Sequence, residues 1–287
     1  MNPTNLAPSS PPSAWHGSLE LVYASKGGGT YITHKKATAP LKLQRPFYPE
    51  GEECCHSVIL HTAGGIVGGD RLSQSIHLEP NAHALITTAA AAKIYRSNGQ
   101  TAHQDINIKI DSGAHLEWLP QENIIFNSAI YRQNLHIELA PTAHILLWEI
   151  HRFGRSARGE KFHQGNWRGD TEIWQQGIPL WIDRQKLRGS EETFASPHAL
   201  GGFPIVATLA WLGEPVTSEL IAEARQLWEQ VSPTTGQAGV TRLPNGLLCR
   251  YRGHSTPEVR QWFIEVWQLL RRSVWGRPIC LPRVWPL

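Results

Sequence analysis

The sequence predicts a mainly β protein, with stacked β-sheets in a solenoid-like series of strand-turn-strand repeats about 30 residues long and a small two-helix region near the C-terminus. Three observations predict it. The segments Ile76-His77-Leu78-Glu79-Pro80-Asn81-Ala82-His83, Ile108-Lys109-Ile110-Asp111-Ser112-Gly113-Ala114-His115 and Ile137-Glu138-Leu139-Ala140-Pro141-Thr142-Ala143-His144 repeat one pattern. Within and before these copies apolar and polar residues alternate, as in Ile106, Ile108 and Ile110 against Asn107 and Lys109, or Leu135, Ile137 and Leu139 against His136 and Glu138. That period of two belongs to strands with one buried face. Over about residues 216 to 275 the spacing changes to i, i+3, i+4, the period of an amphipathic helix.

Taken in order, residues 1 to 13 are rich in Pro, Ser and Asn with a single leucine, and read as a loose tail ahead of one β-rich domain over 14 to 287. Leu19, Leu21 and Tyr23 share a face, Gly27-Gly28-Gly29 forces a turn, and Thr30 to Thr33 returns, which predicts a hairpin. Leu41 and Leu43 keep the period until Arg45-Pro46-Phe47-Tyr48-Pro49 ends it. Val58, Ile59 and Leu60 then lead as a short strand into Gly64-Gly65-Ile66-Val67-Gly68-Gly69-Asp70. The repeats follow, each turning at Pro80-Asn81, Ser112-Gly113 or Pro141-Thr142, residues that preset φ or tolerate unusual φ. A small alanine at the same phase of each copy lets neighbouring rungs approach. After Glu149 the spacing predicts strands around Thr171 to Trp174 and Leu180 to Asp183, with the β-rich region ending near Trp211. Of two helices, the first is capped by Thr217 or Ser218, carries Leu220, Ile221, Ala224, Leu227, Trp228 and Val231, and stops before Pro233. The second opens at Thr256 with Pro257 and Glu258, carries Val259, Trp262, Phe263, Val266, Leu269 and Leu270, and ends at Arg271-Arg272. Pro278, Pro282 and Pro286 keep the tail extended. The tryptophans of this helical part read as exposed enough to favour self-association.

Composition narrows the function classes. Over 287 residues, Lys+Arg 27 against Asp+Glu 24 gives +3, with no basic run longer than a pair, which argues against a nucleic-acid partner. Of the four cysteines, Cys54 and Cys55 are neighbours and form no spaced framework; reduced thiols and a cytoplasmic protein are expected. No apolar stretch approaches the roughly 18 residues of a membrane span.

The motifs leave several chemistries open. Gly64, Gly65, Gly68 and Gly69 lack the Lys-Ser or Lys-Thr of a P-loop and the spacing of a dinucleotide fingerprint, so a bent, close-packed β-turn is favoured over a phosphate cradle. Fourteen histidines contain no recognised ligand motif. His83, His115 and His144 share one repeat phase and would line up about 4.8 Å apart; a repeated polar position on an exposed strand face is favoured, and transient metal binding is the alternative. Asp70, Glu117, Glu122, Glu149, Glu160 and Asp183 are the acids nearest glycine turns or aromatic strand ends. A pair of them would suit a β-solenoid polysaccharide hydrolase or lyase, while a plain structural binding module needs none.

The chain also resembles the urease accessory protein UreD (UreH) family over almost its whole length. The resemblance rests on Arg45-Pro46-Phe47-Tyr48-Pro49-Glu50, the Gly64 to Asp70 motif, Lys93-Ile94-Tyr95-Arg96-Ser97, Leu116-Glu117-Trp118-Leu119-Pro120-Gln121-Glu122, Gly154-Arg155 with Gly159-Glu160, and Leu281-Pro282-Arg283-Val284-Trp285. It implies a β-rich scaffold with no turnover of its own and no tightly bound cofactor. Such a scaffold binds urease apoprotein with UreF and, through UreF, the GTPase UreG, and conducts a transient nickel ion to the urease active site along an internal path. Matched by motif, the path acids are Asp70, Glu149 and Asp183. The last two exchange Asp and Glu relative to some relatives. Two departures stand out: His61-Thr62-Ala63 replaces the family's His-Pro-Pro, and Ala89-Ala90-Ala91-Ala92 replaces a stretch with a hydroxyl, so the path here is expected to be less polar.

Overall fold

The computed structural model describes residues 14–231 and 236–285; the expected tail over 1 to 13, Pro233 and Pro286 lie outside them. It opens with the hairpin, β1 (His16–Lys26) and β2 (Gly29–Thr38), whose register pairs Lys26 with Gly29. The two-residue loop Gly27-Gly28 has φ of +61° and +84°, the sign that a tight type I′ turn demands at both positions and that glycine adopts without strain. β3 (Leu41–Leu43) and β4 (Cys54–His61) follow.

Three rungs come next. β5 (Arg71–Leu78) leads to β6 (His83–Thr88), β8 (Ala102–Ile110) to β9 (His115–Leu119), and β11 (Ile130–Leu139) to β12 (His144–Phe153), with the short β7 (Ala92–Ile94) and β10 (Asn123–Ile125) on the return paths. The chain then adds β13 (Asn166–Gln175), β14 (Ile178–Arg188), a short α1 (Glu191–Ala195) and β15 (Ile205–Leu212). It finishes with α2 (Ser218–Val231), β16 (Gln237–Leu243), β17 (Gly246–Gly253) and α3 (Thr256–Trp275). Among the described residues the strands build two packed sheets: β14-β13-β11-β8-β5-β1-β2, and β16-β17-β15-β12-β9-β6-β4-β3 with β7 and β10 attached. With the parallel strands stacked on either side of them, the three rungs form a β-solenoid of about 4 turns. No helix of the described residues is long and apolar enough to cross a membrane.

Each rung turns by the same hydrogen bond. The amides of Ala82, Ala114 and Ala143 donate to the carbonyls three residues earlier, at 3.1, 3.0 and 3.0 Å, and the three alanines are fully buried. Because the turns are alike, the strands on either side stack in parallel register, Ile76 on Ile108 and Ile108 on Ile137 in one sheet, His83 on His115 and His115 on His144 in the other. The inward-facing Leu, Ile and aromatic residues of the two sheets form the main core.

The β-rich region does not end near Trp211. β16 and β17 extend the second sheet beyond β15, and Asn245-Gly246 between alternating Val240, Leu247, Cys249 and Tyr251 is the hairpin signal that marks them. α2 keeps its expected bounds, and α3 opens at Thr256 as expected and runs past Arg271-Arg272 to Trp275. Thr217 caps α2 through the Leu220 amide, and Ser255 caps α3 through the Glu258 amide. Both helices lie on the outer face of the second sheet and close a second core. Trp262 and Trp267 are fully buried there, so they offer no surface for self-association.

Arg271 departs furthest from expectation. Rather than standing in solvent at the helix end, it is 1% exposed and lies between two carboxylates, its Nε 2.7 Å from Glu117 Oε1 and its two terminal nitrogens 2.6 and 2.9 Å from Glu50. Burial alone would raise the Glu117 carboxyl, but the hydrogen bonds and charge of Arg271 bring it down to about 2. Its depressed value makes the contribution to stability complete above about pH 4.5, the unfolded range, and lost as pH falls toward 2. Replacing Arg271 with Met leaves the buried Glu117 carboxylate without its guanidinium and should cost about 3–5 kcal/mol, read as a lower urea midpoint at pH 7. Adding Glu117→Gln and Glu50→Gln should recover most of the loss; an Arg271→Met midpoint like that of wild type contradicts this account.

Candidate functional site

The six acids marked in the sequence separate once their partners are seen. Glu117 pairs with Arg271, Glu122 with Arg260 and Glu160 with Arg155, so all three hold the fold together. Asp70 is fully buried, and its carboxylate accepts the amides of Trp15 and Val67, both at 2.9 Å. It closes the glycine turn and is not among the residues that line the interior cavity. Around it a Cβ on Gly65 would meet Tyr95 Cε2 at 2.4 Å and one on Gly68 would meet Ser97 Oγ at 2.4 Å, whereas Gly64 faces open space. The motif is thus a close-packed turn through three of its four glycines.

Glu149 and Asp183 are brought together. Alternation along β12 turns Trp148 toward the helices and Glu149 between the sheets, where it lines a cavity of about 390 Å³. The same cavity is walled by Gln74, Gln104, Gln133, Asn123 and Gln121 and bordered by Ala89 to Ala92. The lining is mixed: these alanines with Ile66, Leu72, Ile106 and Trp118 make most of it apolar, and amides on neighbouring strands add polar points. Gln133 donates to Glu149 Oε1, and Thr171 Oγ1 donates to Oε2 at 2.8 Å. Asp183 sits beside Thr171 in the β13–β14 register, accepts from Gln185 at 2.7 Å and pairs with Arg250 at 2.8 Å.

Burial pushes the Glu149 carboxyl up to about 7, Asp183 adds to the rise, and the Thr171 and Gln133 hydrogen bonds oppose it. No cation touches it directly among the described residues, which is the reason it differs from Glu117. His151, two residues on along the same face of β12, is also buried, and burial lowers its imidazole to about 4. The site thus brings together a carboxyl raised to about 7, an imidazole lowered to about 4, the Asp183 side chain and several amides. These are oxygen and nitrogen donors of the type that borderline divalent ions accept. Sequence reasoning missed His151 and the amides; Glu149-Ile150-His151 at a spacing of two within one strand was the signal for the first.

The repeat histidines are not a solvated row. They stand in register on β6, β9 and β12, on the helix side of the sheet. His83 is 9% exposed, the His115 and His144 rings stack at 4.8 Å, and Trp275 packs on His83 and His115 at 5.3 and 5.0 Å. α3 shields what the strand pattern alone presents as an exposed face.

Comparison with known proteins follows the same outline. The family model described as UreD urease accessory protein matches residues 16–286. The chain is 65% identical over 271 residues to a urease accessory protein UreD of a Nostoc species, covering 94% of this chain and 96% of that one. It is 55% identical over 277 residues to the protein of that name from Acaryochloris marina, with 96% of each chain covered. With the Synechocystis protein of that name it shares 42% over 261 residues, 91% of this chain and 96% of the other.

A raised carboxyl stabilises below its unfolded pKa and loses that contribution as pH climbs through the folded value. Glu149→Gln should therefore leave stability nearly unchanged at pH 5 and increase it by about 1–3 kcal/mol at pH 8, measured as the shift in urea midpoint at each pH. A shift equal at both values would place the carboxyl in its ordinary range.

Proposed function

This chain belongs to the UreD urease accessory protein family, and from that premise we propose that it is the scaffold that binds urease apoprotein with UreF and, through UreF, the GTPase UreG, and that it conducts nickel toward the urease active site. The family's part in urease maturation supplies the setting. The single observation that supports conduction is the cavity between the sheets with Glu149 and several side-chain amides on its wall and Asp183 behind it. Nickel is cargo here, held in passing and released.

The chemistry of these residues suits passage better than storage. A carboxyl with a pKa of about 7 exchanges a proton for a cation near neutral pH and gives the cation up when the proton returns, since ligand protonation and metal binding compete. The amide oxygens of Gln74, Gln104 and Gln133 are weak donors, and a conduit works through successive weak sites rather than a closed cage. Neutral His151 offers a nitrogen donor within the same interior. Glu149 and Asp183 form the working pair of this reading, with Asp70 holding the turn. The alternative, a polysaccharide hydrolase or lyase using these two carboxylates, has the family membership against it.

Glu149→Gln combined with Asp183→Asn keeps the shape of the cavity and removes its charge. Mixed with urease apoprotein, UreF, UreG, nickel, GTP and bicarbonate, this variant should assemble like wild type, seen by size-exclusion chromatography, while urease nickel content falls about tenfold. Full nickel loading by the variant would overturn the conduction reading, and failure of the wild-type chain to join any such complex would overturn the scaffold reading.

A further inference from the structure

The histidine row has a fourth member that the repeat does not contain. Cys54 on β4 pairs in register with His83, so a thiol and three imidazoles stand side by side on four neighbouring strands beneath the end of α3. The far pair satisfies itself, with His115 Nδ1 and His144 Nδ1 3.1 Å apart. The near end does not. His83 Nε2 is buried without a hydrogen-bond partner, 3.8 Å from Glu117 Oε2. That is too long for a hydrogen bond and close to the separation of two ligands on one ion with bonds of about 2.0–2.2 Å. Glu117 itself accepts Trp267 and Arg271 on Oε1 but only Arg271 on Oε2. A carboxylate has about four acceptor positions, and the one left over is on the oxygen nearer His83. Cys54 is also fully buried, and the donor atoms of Cys54, His83 and Glu117 lie within 4.8 Å of one another.

We propose that Cys54, His83 and Glu117 form a binding site for a divalent d-block cation of the zinc type, resident beneath α3 and separate from the cavity that holds Glu149. One thiolate, one imidazole and one carboxylate are a donor set that zinc and cobalt accept, with the fourth position left to water. Burial and the nearby Glu117 and Glu50 push the free Cys54 thiol well up, so the proton it carries at neutral pH is released when the ion binds. Closing the three donors onto one ion requires side-chain shifts of about 1 Å. Such an ion would tie β4, β6 and β9 together under the helix.

The test uses the full-length chain, stripped of metal and titrated with Co²⁺ and then Zn²⁺. One equivalent of Co²⁺ should give the intense near-ultraviolet band of thiolate-to-cobalt charge transfer, and Zn²⁺ should abolish it by displacement. Cys54→Ser should lose the band and His83→Gln should weaken Zn²⁺ binding at least about tenfold, while Cys280→Ser, at a half-buried thiol, should change neither. Zinc-edge X-ray absorption on the wild-type complex needs no variant and should show one sulfur neighbour at about 2.3 Å. A cobalt complex without the thiolate band, a band that survives Cys54→Ser, or a zinc shell without sulfur would each overturn the site. None of these readouts depends on urease or on nickel delivery.

Discussion

Parallel in-register stacking of the rungs is the constraint on which the rest of this structure depends. Three turns close with the same hydrogen bond at Ala82, Ala114 and Ala143, so residues at one phase of the repeat become a row of side chains one strand spacing apart. The rows of isoleucine make the core, and the rows of alanine let the turns approach. The same geometry forces like polar groups together. His115, stacked on His144 and edge-on to His83, has its imidazole lowered to about 3, first by burial and then by its two neighbours. Two charged imidazoles in ring contact would oppose that stacking, and burial lowers both His115 and His144.

The two faces of the second sheet treat buried carboxylates in opposite ways. On the helix side Glu117 meets a guanidinium and the Trp267 indole, and its ionised form is held. On the inner side Glu149 meets a hydroxyl and an amide, with Arg250 reaching Asp183 and Thr208 rather than Glu149 itself, and its neutral form gains. Neither group is more acidic by nature than the other. One ties α3 across 154 residues of sequence; the other keeps a proton that a passing cation can displace. Strand alternation, which sends neighbours such as Trp148 and Glu149 to opposite faces, is what allows one sheet to carry both.

Much of the fold was legible because it is written locally. Alternation, turn residues and the repeat phase are properties of a few consecutive positions, and they give the solenoid, the first hairpin, both helices and the Thr217 cap of the first. The final hairpin was missed although Asn245-Gly246 signals it, because the helical pattern on either side suggested that the β region had closed. The site was legible in part. Glu149 and Asp183 stand out by motif, but the amides of Gln74, Gln104 and Gln133 look like ordinary strand residues until three rungs are stacked and their side chains share one interior.

By itself the sequence determined most of the secondary structure, the stacking and the family, since periodicity and short motifs act over distances the chain fixes covalently. Only the tertiary structure decided which acids are structural and which face a cavity, that Asp70 closes a turn, that Arg271 is buried between Glu50 and Glu117, and that Cys54 joins the histidine row. The reason is physical. Charge state and ligand capacity depend on what surrounds a side chain within a few ångströms, and those surroundings come from strands and a helix far apart in the chain.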